Sequence, residues 1–146
     1  MRDFSHIRSD YLNEVLDCES LKERIDNTVK LLRRKTKQFD AIAFRGMSGA
    51  LVAPAVAARL KKNLLMVRKE SAHSNRLVEG IRYPQRYIIV DDFISSGATV
   101  QAIRGNLDKE HTLVGVVCYA WLSWRNQKRL QLTLGTKIWI TGHRGR

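Results

Sequence analysis

Apolar residues early in the chain recur at helical intervals. Leu21, Ile25, Val29 and Leu32 stand at i, i+4, i+8 and i+11, which predicts an amphipathic helix. Ser20 and Glu23 have the spacing of a capping box that would satisfy free N–H groups at its start. Its end, RRKTK at 33–37, puts cations at the negative pole of the helix dipole, a simpler account of that run than a nucleic-acid patch. Beyond it the pattern changes to short continuous apolar runs: FDAIAF (39–44), LLMVRK (64–69), RYIIV (86–90), TLVGVVCYA (112–120) and KIWIT (137–141). Unbroken runs, rather than alternating ones, indicate strands covered on both faces. Between them lie helical stretches at Ala50–Leu60, with Pro54 near the first turn, and at ATVQAIRGNLDKE (98–110). Residues 70–85 are polar and aperiodic and read as a surface loop. Strand-helix alternation of this kind predicts an α/β fold with a mostly parallel five-stranded sheet flanked by helices.

Composition narrows the class. A length of 146 residues, 44% hydrophobic and 27% charged, suits one domain able to bury a core. Apolar runs such as LVAPAVAA fall far short of the ~20 residues needed to span a bilayer, and the start has no apolar secretory core. Cys18 and Cys118 lack metal-ligand spacing, so reduced, buried thiols in a cytoplasmic protein are expected. Charge narrows it further. From Asn27 onward 22 basic residues face seven acidic ones, a balance of +15, within a net +12 for the chain. Such a surface favours polyanions, whether phosphorylated small molecules or nucleic acid.

Against that basic background, YIIVDDFISSGATV (87–100) places two acids, Asp91 and Asp92, at the end of an apolar strand. Ligands of open parallel sheets bind beyond the carboxyl ends of the strands. The turn Ser95-Ser96-Gly97-Ala98-Thr99 then leads into a helix. Its small residues let backbone N–H groups face a concavity at a helix start, a cradle for phosphate, and its hydroxyls add donors. Carboxylates beside bound phosphate must face something else, either sugar hydroxyls or a metal ion. The stretch therefore describes a ligand with a phosphate at one end and a diol in the middle, as in a ribose 5-phosphate. A Walker-type hydrolase would need a G-x-x-x-x-G-K-[ST] loop and a dinucleotide site a G-x-G-x-x-G, and neither is present. A receiver domain would carry its acids after the first strand.

YIIVDDFISSGATV resembles the phosphoribosyl pyrophosphate signature of the type I phosphoribosyltransferases, with Phe93 in place of a smaller aliphatic and Ser96 in place of threonine. FRGMSGALVAPAVAARL resembles the family's diphosphate loop, which gives that role to Arg45, Gly46, Met47, Ser48 and Gly49. LLMVRKE resembles the arginine-lysine pair ending the second strand in orotate, adenine and xanthine enzymes, so Arg68 or Lys69 would neutralise diphosphate charge. With LVEG (77–80), the orotate-type enzymes are the most similar in motif. The resemblance covers about residues 38–120.

The resemblance implies a single domain with its core at about 20–141 and a base-recognising hood from 1–18 and 119–130. It implies transfer of ribose 5-phosphate from phosphoribosyl pyrophosphate to a nucleobase with Mg²⁺, Asp91 and Asp92 holding the ribose hydroxyls and placing the metal mostly through water and substrate. A homodimer is expected on the same ground. The pattern breaks in the loop RKESAHSNRLVEG, where Ala72 stands at the expected lysine and His73 is displaced by one. His73 and Arg76 are candidates to substitute, although a loop histidine is commonly just solvated. Trp121 and Trp124 either stack on a base or, the simpler expectation, pack within core or hood. A non-catalytic regulator of the same fold that senses phosphoribosyl pyrophosphate and binds RNA or DNA is the alternative, favoured by the charge and by Ala72.

Overall fold

A computed structural model describes residues 16–69, 77–92, 94 and 96–142. Helix α1 (Cys18–Arg33) leads through a turn into strand β1 (Ala41–Phe44), helix α2 (Gly46–Leu60) and strand β2 (Asn63–Val67). Strands β3 (Val78–Gly80) and β4 (Arg86–Asp91) follow, then helix α3 (Ala98–Leu107), strand β5 (Thr112–Cys118), helix α4 (Trp124–Leu134) and strand β6 (Lys137–Ile140). The strands form one sheet in the order β3-β2-β1-β4-β5-β6, parallel except for β3 against β2.

Every residue of β1, and all of β4 after Arg86, is buried, as continuous apolar runs require of central strands. One core, with Val29, Leu32, Val52 and Val56, joins α1 and α2 to one face through Ile42, Ile88 and Val90. The other, with Val100, Ile103, Leu107, Leu130 and Leu134, seats α3 and α4 on the opposite face through Ala43, Ile89 and Val116. At the sheet's lower end, Arg86 holds both oxygens of Asp40 (Nε at 3.1 Å, an outer nitrogen at 2.9 Å), clamping the entrance of β1 to that of β4.

Several expectations change. The sheet has six strands rather than five, because 78–80, within the expected loop, pairs antiparallel with β2. Asp17, not Ser20, caps α1: its carboxylate accepts from the Ser20 N–H at 3.1 Å, so the helix starts earlier and Ser20 is already inside it. Helix α2 begins at Gly46 rather than Ala50, so Pro54 lies well inside the helix. Residues 124–134 form a helix, capped by the Ser123 hydroxyl and ended by Gly135 in the left-handed conformation. Of the thiols, Cys118 is buried but Cys18 is exposed. Among the described residues, no helix is long and apolar enough to cross a membrane.

Candidate active site

Asp91 closes β4 and Asp92 follows it, and both are about 5% exposed or less despite their charge. Strand β5 holds this exit. The Tyr119 N–H donates to the Asp91 carbonyl at 3.0 Å and the Ala120 N–H to the Asp92 carbonyl at 2.7 Å. The Cys118 thiol adds a third bond, donating to the Asp92 carbonyl at 3.0 Å, and burial pushes that thiol up to about 12.

The Asp91 carboxylate is tied on two sides. Its Oδ1 accepts from the Ser48 hydroxyl and from the Asp92 N–H, each at 3.0 Å. Burial, reinforced by the neighbouring Asp92 charge, raises the Asp91 carboxyl to about 7, against the pull of those two donors. Two acids this close and this dry favour an approaching cation or hydroxyl donor. Among the described residues no third His, Cys, Asp or Glu converges with them. The donor set suits Mg²⁺, which binds few carboxylates and keeps water and substrate oxygens in its shell. It does not suit an ion needing a full protein cage.

Ser48 links the acid pair to the first turn of α2. Only Arg45 separates β1 from that helix. Gly46 makes the turn at φ +79°, and a side chain at Gly49 would strike Phe44 Cβ at 2.7 Å and the Val90 carbonyl at 3.2 Å. These two glycines let the helix start directly over the ends of β1 and β4, with its free N–H groups and positive dipole end there. The Ser48 carbonyl accepts from the buried Tyr119 hydroxyl at 2.7 Å, while Met47 is exposed. Arg45 Nε is buried with no hydrogen-bond partner among the described residues.

The two cations ending β2 separate. Lys69 reaches Gly46: a Cβ there would lie 3.3 Å from its Nζ. Arg68 is instead engaged with Glu79 of β3, donating to Oε1 at 2.9 and 3.1 Å. Lys69 is thus beside the α2 turn and Arg68 is held by a carboxylate.

On the other side of the acids, Gly97 caps α3 at φ +83°, and the Ser96 hydroxyl accepts from the Ala98 N–H at 3.3 Å. Asp91, Ile94, Ser96, Gly97, Ala98 and Thr99 line a cavity of about 170 Å³ at this helix start. The packing of Leu134 against Gly97 was invisible in the sequence; a Cβ at 97 would lie 2.9 Å from it. Nor did any signal reveal the Tyr119-Ser48-Asp91 chain, whose members are far apart in sequence. Phe93, Ser95, His73 and Arg76, with Ala72, lie outside the described residues. Trp121 is 42% exposed, whereas Trp124, contrary to the packing expected of it, is 69% exposed; Lys128 Nζ stands 4.0 Å from the Trp124 ring centroid.

No family model matches the chain. The adenine phosphoribosyltransferase of Bifidobacterium longum subsp. infantis is 27% identical over 117 residues, 68% of this chain and 61% of its own. That of Bifidobacterium animalis subsp. lactis is 30% identical over 112 residues, 65% of this chain and 58% of its own. The chain thus spans about three fifths of the length of these curated relatives. Among solved structures, orotate phosphoribosyltransferase from Aeropyrum pernix superposes with a TM-score of 0.72 at 18% identity, covering 91% of this chain and 76% of that one. Adenine phosphoribosyltransferase from Saccharomyces cerevisiae, in complex with an imino-altritol bisphosphate and adenine, gives 0.73 at 21%, covering 90% and 84%.

Proposed function

Because the chain has the type I phosphoribosyltransferase fold, we propose that it transfers ribose 5-phosphate from phosphoribosyl pyrophosphate to a nucleobase. The observation that carries this reading is the buried Asp91–Asp92 pair between two glycine-started helices, α2 and α3, each presenting free N–H groups at the same end of the sheet. Such a pair between two anion cradles matches a sugar with a phosphate at each end.

The α3 turn, Ser96, Gly97, Ala98 and Thr99 with Ser95, binds the 5-phosphate. The carboxylates of Asp91 and Asp92 accept from the ribose 2- and 3-hydroxyls. Arg45 to Gly49 and Lys69 take the diphosphate, Lys69 from its position beside Gly46. Arg68, bound to Glu79, shapes the end of β2 rather than meeting the ligand. Asp91 and Asp92 would hold Mg²⁺, largely through water and substrate oxygens, and the ion when bound supplies charge neutralisation for the diphosphate. A base nitrogen forms the new bond to ribose C1 as the bond from C1 to the diphosphate oxygen breaks. The electron pair leaves with diphosphate, and the base gives up its N–H proton. Positive charge grows on the sugar and negative charge on the leaving group. The chain's work is therefore positioning and electrostatics: cations and helix N–H groups face the departing oxygens, and carboxylates flank the ribose.

The test is diphosphate release with Mg²⁺ across a base panel headed by adenine and orotate. Release stimulated by one base is expected, and Asp91→Asn/Asp92→Asn should lower it by about 10²-fold or more while the far-ultraviolet spectrum stays native. No release with any base, from protein that still binds phosphoribosyl pyrophosphate, would overturn the transferase reading in favour of a sensor.

A further inference from the structure

A second concavity, of about 420 Å³, lies between α1 and the edge strand β6, with β5 between β6 and the strand β4 that ends in the acid pair. Asn27, Lys30, Arg34 and Lys35 line it from the α1 side, and Ile140 and Thr141 from the β6 side. Three of these six side chains are cations, and among the described residues no carboxylate pairs with any of them. The acid nearest them on α1, Asp26, is taken by Lys22 at 2.7 Å and Arg59 at 2.5 Å.

The helix dipole accounts for cations in the last turn of α1. It does not account for the rest of the groove. Thr141 lines the groove, and among the described residues its Oγ1 is buried without a hydrogen-bond partner, a penalty that a bond to a ligand oxygen would remove. Lys35 is held in place, its Nζ 4.8 Å from the Trp139 ring centroid. Leu31 adds apolar surface beside Ile140. Converging cations, an amide, an unpartnered buried hydroxyl and an apolar side together describe a phosphate attached to a small apolar or planar body. The volume falls within the range of small-molecule sites, whereas a polynucleotide needs a continuous track with stacking platforms.

We propose that the α1–β6 groove is a second ligand site, which binds a small phosphomonoester independently of the acid-pair site. Lys30, Arg34 and Lys35 contact the phosphate, Thr141 and Asn27 add hydrogen bonds, and Leu31 and Ile140 contact the body. Because it does not depend on the transferase reading, it survives or falls separately.

The test is a backbone-amide NMR titration of the full chain, first with inorganic phosphate and then with phenyl phosphate. Saturable shifts are expected at Asn27, Lys30 and Thr141, with phenyl phosphate reaching half-saturation at a concentration about tenfold lower than phosphate. Lys30→Gln/Arg34→Gln alters two exposed side chains. It should raise the half-saturation point at Thr141 about tenfold or more and leave the phosphate response of Gly97 and Ala98 unchanged. Shifts confined to the α3 turn, shifts that never saturate, or a response the double variant preserves would overturn the proposal. So would a response at Thr141 obtained only with an RNA oligonucleotide, which would make the groove part of a polynucleotide track.

Discussion

The Tyr119 hydroxyl donates to the Ser48 carbonyl inside the core, while the Ser48 hydroxyl donates to Asp91. Tyr119 therefore positions the acid pair through Ser48. Tyr119→Phe keeps the ring and removes one buried donor. A loss of about 1 kcal/mol in urea unfolding is expected, with a raised KM for phosphoribosyl pyrophosphate and a smaller change in kcat. Equal stability and unchanged KM would remove Tyr119 from this chain of contacts. The thiols offer a second check at this scale. With a thiol reagent at pH 8, native protein should titrate one cysteine, Cys18, which is exposed. Burial pushes Cys118 up to about 12 and encloses its sulfur, so the second thiol should appear only in denaturant. Two fast thiols in native protein would contradict the packing of β5 against the acids.

At the scale of elements, the start of α3 depends on a partner far along the chain. Gly97 stands at φ +83° with Leu134 of α4 within 2.9 Å of where a Cβ would be. Gly135, one residue beyond Leu134, has φ +62° but open space around it. Gly97→Ala should therefore cost strain plus a clash and weaken phosphoribosyl pyrophosphate binding about tenfold or more, whereas Gly135→Ala should cost only about 1 kcal/mol of stability and leave binding intact. Similar binding by the two variants would mean that α4 does not buttress the phosphate turn. The entrance of the sheet gives the pH dependence. Arg86 bonds lower the Asp40 carboxyl from 3.8 to about 2, so this pair stabilises the fold above pH 3.8 and the gain disappears as pH falls through 2. With both side chains largely exposed, solvent screening holds the gain to about 1 kcal/mol. Asp40→Asn should flatten the acid limb of stability between pH 4 and 2, measured by urea midpoints.

These same elements show what was legible. The acid pair, the glycine turn before α3 and the parallel strands are legible because each follows a local pattern: an apolar run, then charge, then small residues. Helix α4 did not, since WRNQKRLQLTL buries only Leu130 and Leu134 and reads as polar. Its signals were at its ends, Ser123 and Gly135. Strand β3 is three residues long and exists through its pairing with β2, which no local pattern encodes. The Asp17 cap is masked in the sequence by Ser20 and Glu23, which offer an equally good local alternative.

Over the whole molecule, the net charge of +12 makes a salt prediction. Substrate with a phosphate at each end carries several negative charges, and a positive field speeds its arrival without helping the bound chemistry. Raising sodium chloride from about 20 to about 300 mM shortens the screening length to several ångströms, so kcat/KM for phosphoribosyl pyrophosphate should fall several-fold while kcat stays nearly constant. Neutralising Lys137, which opens β6 at the end away from the acid pair, should reduce the salt slope slightly. Neutralising Lys69, which stands beside Gly46, should lower kcat as well. A kcat/KM insensitive to salt would mean that the field does not reach the site. The basic surface would then have to be explained by other anions, the α1–β6 groove first among the places to look.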